Sequence, residues 1–200
     1  MKDEYLWIQA AKEGDTAAFE QLIYAYEKPA YALALRICQK PEYAAEAAQE
    51  AFLAVWRGLS AFRGDAKFST WLYRLVSNAA IDLLRREKRH SGTLSLDDEA
   101  LNPNIPDDLR FQPQSHMERQ ELRDAIEAGL ATLSPESRQV LLLREMQQLT
   151  YEEIADALHV ELGTVKSRIS RARRQLRLYL LENGNFFDAD TSYSMKGDAK

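Results

Sequence analysis

Residues 163–177 carry six lysines and arginines and no acid. Wound at helical pitch, Val165, Ile169, Ala172 and Leu176 share about 60° of arc; Lys166, Ser167, Ser170, Arg173, Arg174 and Arg177 share about 120° beside it. Arg171 falls just beyond that window. A narrow apolar stripe flanked by a cationic, hydroxylic face suits one kind of chemistry. Guanidinium and ammonium groups pair with phosphates or with guanine edges, and serine hydroxyls bond either. A merely solvated helix face interleaves acids with bases, and this one does not.

A second group runs Phe62-Arg63-Gly64-Asp65-Ala66-Lys67-Phe68-Ser69-Thr70-Trp71, followed by Arg74, Asn78, Asp82 and Arg85. From Trp71 these last residues recur at i, i+3, i+7, i+11 and i+14, a stripe placed opposite a helix core. Rings and guanidinium planes stack on unpaired bases, and amides read base edges. Aromatic residues at a helix start also serve as core, and spacing alone leaves both readings open. A third segment, Glu46 to Arg57, reads as an amphipathic core helix whose acidic and amide outer face could dock on a protein.

No paired carboxylates, Gly-rich phosphate loop or nucleophile–base pair is legible, so no catalytic residue, metal or cofactor is expected. The histidines His90, His116 and His159 are far apart, which offers no metal-ligand spacing. Cys38, the single cysteine, lies in an apolar helix and reads as a small core residue. It cannot form an internal disulfide, which suits a reducing cytoplasm.

The elements that must position these groups are helical throughout. Phe19, Leu22, Ile23 and Tyr26 mark one helix, and 30–38 a second, closed by Lys40-Pro41. A third spans 42–58. A long helix is expected over Thr70–Lys88, capped by Ser69 or Thr70, with Leu72, Leu75, Val76, Ala79 and Leu83 inward. Helices resume at Met117–Leu133. Ser134 then caps a helix with Pro135 in its first position. Thr150 and Glu153 form a capping box over 151–158. After a turn of about five residues, Thr164 caps a last helix to about Leu181. The pair 151–158 and 165–177 is a helix-turn-helix.

Between the halves, 91–115 holds Pro103, Pro106 and Pro113, and a net charge of −4. It reads as an extended, flexible acidic linker. The chain's 200 residues, 46% hydrophobic and 28% charged, thus divide into two small all-α domains. The expected boundaries are 1–90, linker 91–115, 116–182, and a disordered tail 183–200. The overall charge of −5 hides its distribution: +4 over 63–90 and +6 over 163–177, against −6 over 116–162. Local basic blocks, rather than the sum, make a footprint for phosphates. The longest apolar runs, Ala30–Leu35 and Ala51–Trp56, have six residues, against ~18 for a membrane span. No signal core follows Met1, so a cytoplasmic protein without membrane insertion is expected.

The run from Phe68 to Arg86 closely resembles the minus-10 recognition segment of extracytoplasmic-function (ECF) sigma factors of the sigma-70 family. Leu133-Ser134-Pro135-Glu136-Ser137-Arg138, Tyr151-Glu152-Glu153-Ile154-Ala155 and Gly163-Thr164-Val165-Lys166-Ser167-Arg168 resemble that family's minus-35 domain. The ordered set covers about residues 10–180. The resemblance implies a non-enzymatic, two-domain factor, a region 2 bundle and a region 4 helix-turn-helix. Such a factor binds core RNA polymerase, directs it to promoter DNA and assists opening. It also implies a cognate anti-sigma factor, and a linker passing toward the polymerase active-site channel.

By the same resemblance, Glu46, Gln49, Glu50, Phe52 and Trp56 belong to the helix that docks on the polymerase clamp. Arg63, Gly64, Asp65, Lys67, Phe68, Trp71, Arg74, Asn78, Asp82 and Arg85 would hold the minus-10 element. Thr164, Lys166, Ser167, Arg168, Ser170, Arg171 and Arg174 would face the minus-35 groove. Two positions depart from the family pattern. Tyr43-Ala44-Ala45-Glu46 keeps one acid where relatives often have several, and Gln148 stands where many have glycine. A free-standing helix-turn-helix regulator with a sensing bundle would instead bind DNA without polymerase, and would leave the loop at 62–71 without a role. A protein-only adaptor would leave the cationic face at 163–177 without one.

Overall fold

The computed structural model describes residues 2–90 and 116–183, which form α-helices, one short 3-10 turn and no strand. The expected linker 91–115 and the tail beyond Asn183 lie outside the described residues. The first unit comprises α1 (Lys2–Lys12), α2 (Thr16–Cys38), α3 (Pro41–Gly58), a turn at Leu59–Ala61, and α4 (Phe68–His90). The second comprises α5 (His116–Thr132), α6 (Pro135–Glu145), α7 (Tyr151–Leu158) and α8 (Leu162–Asn183).

Local chemistry explains most boundaries. The Asp15 carboxylate accepts from the backbone N–H groups of Ala17 and Ala18 at 2.9 and 3.1 Å, which starts α2. Pro41 opens α3 from its first turn, where a missing N–H costs nothing. The expected break between 26 and 30 does not occur: α2 is continuous through Pro29. Pro29 and Ala25 are both exposed, so water can satisfy the carbonyl that the proline ring leaves without a donor.

The expected start of α4 is also corrected. The helix begins at Phe68, and the Trp71 N–H bonds to the Lys67 carbonyl at 3.2 Å, so neither Ser69 nor Thr70 is its cap. Phe68 is 3% exposed, and burying that ring outweighs the polar preference for a cap one or two residues later.

α3 turns Ala44, Ala47, Ala48 and Ala51 toward α2 and α4. Side chains that small let helix axes approach closely. In the second unit Val140, Leu143, Leu149, Ile154, Val165 and Ile169 form the helix-turn-helix core. Leu130, Leu133, Leu141 and Leu142 instead join the buried cluster of the first unit, with Ile37 and Val76. The two units therefore pack together along α2 and α4.

Arg138 marks that junction. Its guanidinium is buried and donates to the carbonyls of Leu130 (2.7 Å), Ala131 (3.1 Å) and Leu133 (2.8 Å), and across to Ile37 (2.7 Å). Carbonyls at the C-terminal ends of helices lack intrahelical donors, and here one guanidinium serves two such ends. Burial lowers the Arg138 pKa from its usual value, but an arginine starts so high that the group stays charged.

Candidate nucleic-acid interface

The helix-turn-helix is built as its sequence specifies, with one change. Ser134 accepts from the Ser137 N–H, and Thr150 and Glu153 exchange both bonds of a capping box. α7 ends at His159 in a left-handed conformation. α8 starts at Leu162, and the Thr164 and Val165 N–H groups bond to the Glu161 carbonyl at 2.9 and 3.2 Å. The turn is therefore His159–Glu161, shorter than expected, and Thr164 lies inside the first helical turn. Gly163, the last position of the expected five-residue turn, has no positive φ and is simply helical.

Val165, Ile169 and Ala172 are buried beneath α8, while Lys166, Ser167, Ser170 and Arg171 are exposed. Thr164, Arg168 and Arg174 are half-buried at the margins. The Ser167 hydroxyl donates to the Thr164 carbonyl at 3.0 Å, and Arg173 pairs with Glu145 at 2.7 Å. The outward face is cationic and unobstructed at its N-terminal half, where base contacts begin in helix-turn-helix proteins.

The second group forms a cleft of about 540 Å³. Gly64 makes the loop possible: its φ of +81° suits glycine far better than any residue with a Cβ. Phe62 stacks on Trp71 with centroids 4.9 Å apart and planes 19° from parallel. Gly58 lets the indole lie close, since a Cβ there would stand 3.2 Å from Trp71 Cζ2. Arg63, Gly64, Asp65 and Lys67 are exposed. Phe68 is buried edge-on beneath Phe62 and Trp71, so it supports the loop and presents no ring to a base.

The stripe itself is not solvent-facing along its length. Asp82 and Arg85 are exposed, but Trp71, Arg74 and Asn78 are half-buried. The same cleft is lined by Glu153, Asp156 and Ala157 of α7. Asn78 donates to the Ala157 carbonyl at 3.3 Å. Arg74 Nε is buried without a hydrogen-bond acceptor among the described residues, a cost that native structures seldom carry without reason. The α7 acids belong to the acidic stretch 116–162, whose charge is legible in the sequence as a competitor for the basic faces, but nothing local in sequence places Glu153 and Asp156 in the cleft that Arg63 lines.

On α3, Glu46 and Gln49 are exposed, Glu50 and Phe52 half-buried, and Trp56 exposed at the edge. Trp56 packs on Phe19 at 4.7 Å between centroids. Exposed Leu53 adds apolar area to that face and was missed; its position beside Phe52 and Trp56 was the available signal. Arg86 bonds both Glu50 oxygens, at 3.0 and 3.2 Å, and approaches Glu46 at 3.8 Å. Those carboxylates raise the Arg86 pKa. No cluster of metal-ligating side chains occurs among the described residues. None of their helices is long and apolar enough to cross a membrane.

The Sigma-70 region 2 family matches residues 22–90, and the Sigma-70, region 4 family matches residues 123–176. The RNA polymerase sigma-H factor of Pseudomonas aeruginosa is 34% identical over 172 residues, covering 84% of this chain and 89% of that protein. The ECF RNA polymerase sigma-E factor of Escherichia coli K12 is likewise 34% identical over 172 residues, covering 84% and 90%. Two solved structures share the fold at 23% identity. One is CnrH in complex with the cytosolic domain of CnrY, with a TM-score of 0.61 over 90% of this chain and 99% of that one. The other is the sigma factor RpoE with the anti-sigma factor NepR from Bartonella quintana, with a TM-score of 0.59 over 82% and 98%.

Proposed function

The chain belongs to the sigma-70 family of RNA polymerase sigma factors, in its extracytoplasmic-function group, and on that premise we propose how its residues divide the work of promoter selection. A sigma factor directs polymerase to promoters; the polymerase itself makes the RNA, and this chain is not an enzyme. Residues 1–90 form the unit for core polymerase and the minus-10 element, 91–115 connect, 116–182 form the minus-35 unit, and 183–200 are a tail. The protein works in the cytoplasm, where core polymerase is, and a cognate anti-sigma factor holds it in reserve.

Lys166, Ser167, Ser170 and Arg171 face the minus-35 groove, with Thr164, Arg168 and Arg174 on its phosphate flanks. Arg63, Gly64, Asp65 and Lys67 form the loop that takes a minus-10 base out of the stack. Such a step costs a few kcal/mol, which stacking and edge contacts offset. Trp71, Arg74 and Asn78 line that site, Asp82 and Arg85 extend it, and Phe68 supports it from below. Glu46, Gln49, Glu50, Phe52 and Trp56 dock on the polymerase.

Tethering through polymerase raises the effective concentration of each small unit at its element, so neither need bind DNA tightly alone. The observation that carries this division is the exposed, acid-free face of α8 set apart from an aromatic, Gly64-hinged cleft at the start of α4. Reversing Arg171 and Arg174 to glutamate tests it. Each lost base or phosphate contact costs about 1–3 kcal/mol. Transcription from the cognate promoter should fall about 100-fold while binding to core polymerase stays intact. Unchanged transcription would refute the assignment of α8.

A further inference from the structure

We propose that Lys12, on α1, is a positioning residue for the minus-10 loop: its ammonium sets the direction of the Phe62 carbonyl and so aims Arg63, Gly64 and Asp65 at the base they take. This rests on the assignment of that loop above. Lys12 Nζ donates to the Phe62 carbonyl oxygen at 2.5 Å and lies 5.8 Å from the centroid of the Phe62 ring, within the range of a cation–π attraction. One side chain thus holds the same residue by its backbone and by its ring, across fifty residues of sequence. A lysine in the last turn of a helix also complements the helix dipole, but an ammonium left in water would do that equally well. This one is half-buried and turned onto the loop.

The loop has few other fastenings. Phe62 ends the 3-10 turn with its N–H bonded to the Leu59 carbonyl at 3.1 Å, and α4 takes over where the Trp71 N–H reaches the Lys67 carbonyl. Among the described residues, no hydrogen bond or ion pair holds Arg63, Gly64, Asp65 or Ala66. Peptide units are rigid planes, so the chain beyond Phe62 is aimed by the rotation of the plane that its carbonyl shares with the Arg63 N–H. Lys12 fixes that plane, and Gly64, at a φ of +81°, then turns the chain. The Phe62 ring is fixed in turn against Trp71, at 4.9 Å between centroids, so loop and stacking platform keep one register. α1 is a firm support. Ile8 and Ala11 are buried in the core, Tyr26 donates to Glu4 Oε2 at 2.8 Å, and the Asp15 N–H closes the end of the helix on the Ala10 carbonyl at 3.1 Å. Without Lys12 the DNA itself would have to order the loop, and that ordering would be subtracted from the affinity for the base.

The test uses the full chain, bound to core polymerase, as wild type, K12M and K12R. Methionine keeps the length of the side chain and removes the donor; arginine keeps donor and charge. K12A stands in should K12M not fold. The probes are fork DNA of a promoter selected by run-off transcription, intact or with one abasic site at each position of the non-template minus-10 strand in turn. The abasic position most costly to wild type marks the base that the loop holds. K12M should bind the intact fork about tenfold more weakly than wild type, and K12R within about twofold of it. That gap should persist on probes abasic elsewhere and close on the probe lacking the loop's base, because a positioning residue has no further effect once the contact it serves is gone. In the free chain, labelled with fluorotryptophan, K12M should move and broaden the Trp71 fluorine line and leave that of Trp56 in place, and K12R should restore it.

Equal binding of the intact fork by wild type and K12M overturns the proposal, as does K12R as weak as K12M. A deficit of the same size on every probe, the one lacking the loop's base included, overturns it too, since Lys12 would then act on the DNA backbone or on the fold at large. Should no abasic position stand out, or core polymerase gain no promoter specificity from the chain, the assignment of the loop fails and the DNA half of the proposal with it, whereas the Trp71 line still decides whether Lys12 sets the platform.

Discussion

Gln148 is held at a φ of 57° at the end of α6, with its side-chain amide donating to the Glu145 carbonyl at 2.7 Å. A residue with a Cβ pays about 1 kcal/mol or more in that region, and a glycine does not. Gln148→Gly loses one exposed hydrogen bond and should still gain about 0.5–1 kcal/mol of stability, read as a higher denaturation midpoint without a change in slope. Cys38 is the other residue whose surroundings set its chemistry. Burial raises its thiol to about 11, and the nearby Arg138 offsets this only in part. The folded state thus favours the neutral thiol. Its contribution is complete below the ordinary thiol pKa near 9 and is lost as pH rises toward 11. Between pH 8 and 10.5 wild type should lose more stability than Cys38→Ala, whose cavity costs the same at every pH; parallel curves would contradict the burial assigned to the thiol.

The elements carry the difference between what sequence discloses and what only folding decides. Ser134 and Thr150 were legible as caps because a cap is local: the donor, acceptor and spacing lie within four residues. Removing the capping box with Thr150→Ala should cost about 1 kcal/mol in the thermal unfolding of the second unit, and no loss would mean α7 is held by packing alone. Thr164 has the same chemistry but is not a cap, because α8 has already begun at Leu162 and the Thr164 N–H is itself bonded to the Glu161 carbonyl. Phe68 likewise overrides Ser69 and Thr70, and an exposed face lets α2 run through Pro29. The candidate site divides the same way. The α8 face follows from periodicity. The cleft at Phe62 and Trp71 was foreseen as a set of residues, but its wall of Glu153 and Asp156 comes from a segment some eighty residues away and has no local signature.

At the scale of the whole molecule, two basic blocks are separated by an acidic stretch, and folding turns that segregation into geometry. The α8 block faces outward at Lys166 and Arg171, and the start of α4 shares a cleft with Glu153 and Asp156 of α7. Polymerase binding and promoter reading are the two tasks of a sigma factor of this family. Neither task requires the chain to hold DNA strongly by itself, which distinguishes it from a free-standing regulator. The most direct measurement of that claim is run-off transcription from a mixed promoter library with bacterial core polymerase, with and without this protein. Transcripts that start downstream of one shared pair of motifs, only when the protein is present, are the predicted result. Core polymerase that gains no specificity and does not co-migrate with the protein would contradict it.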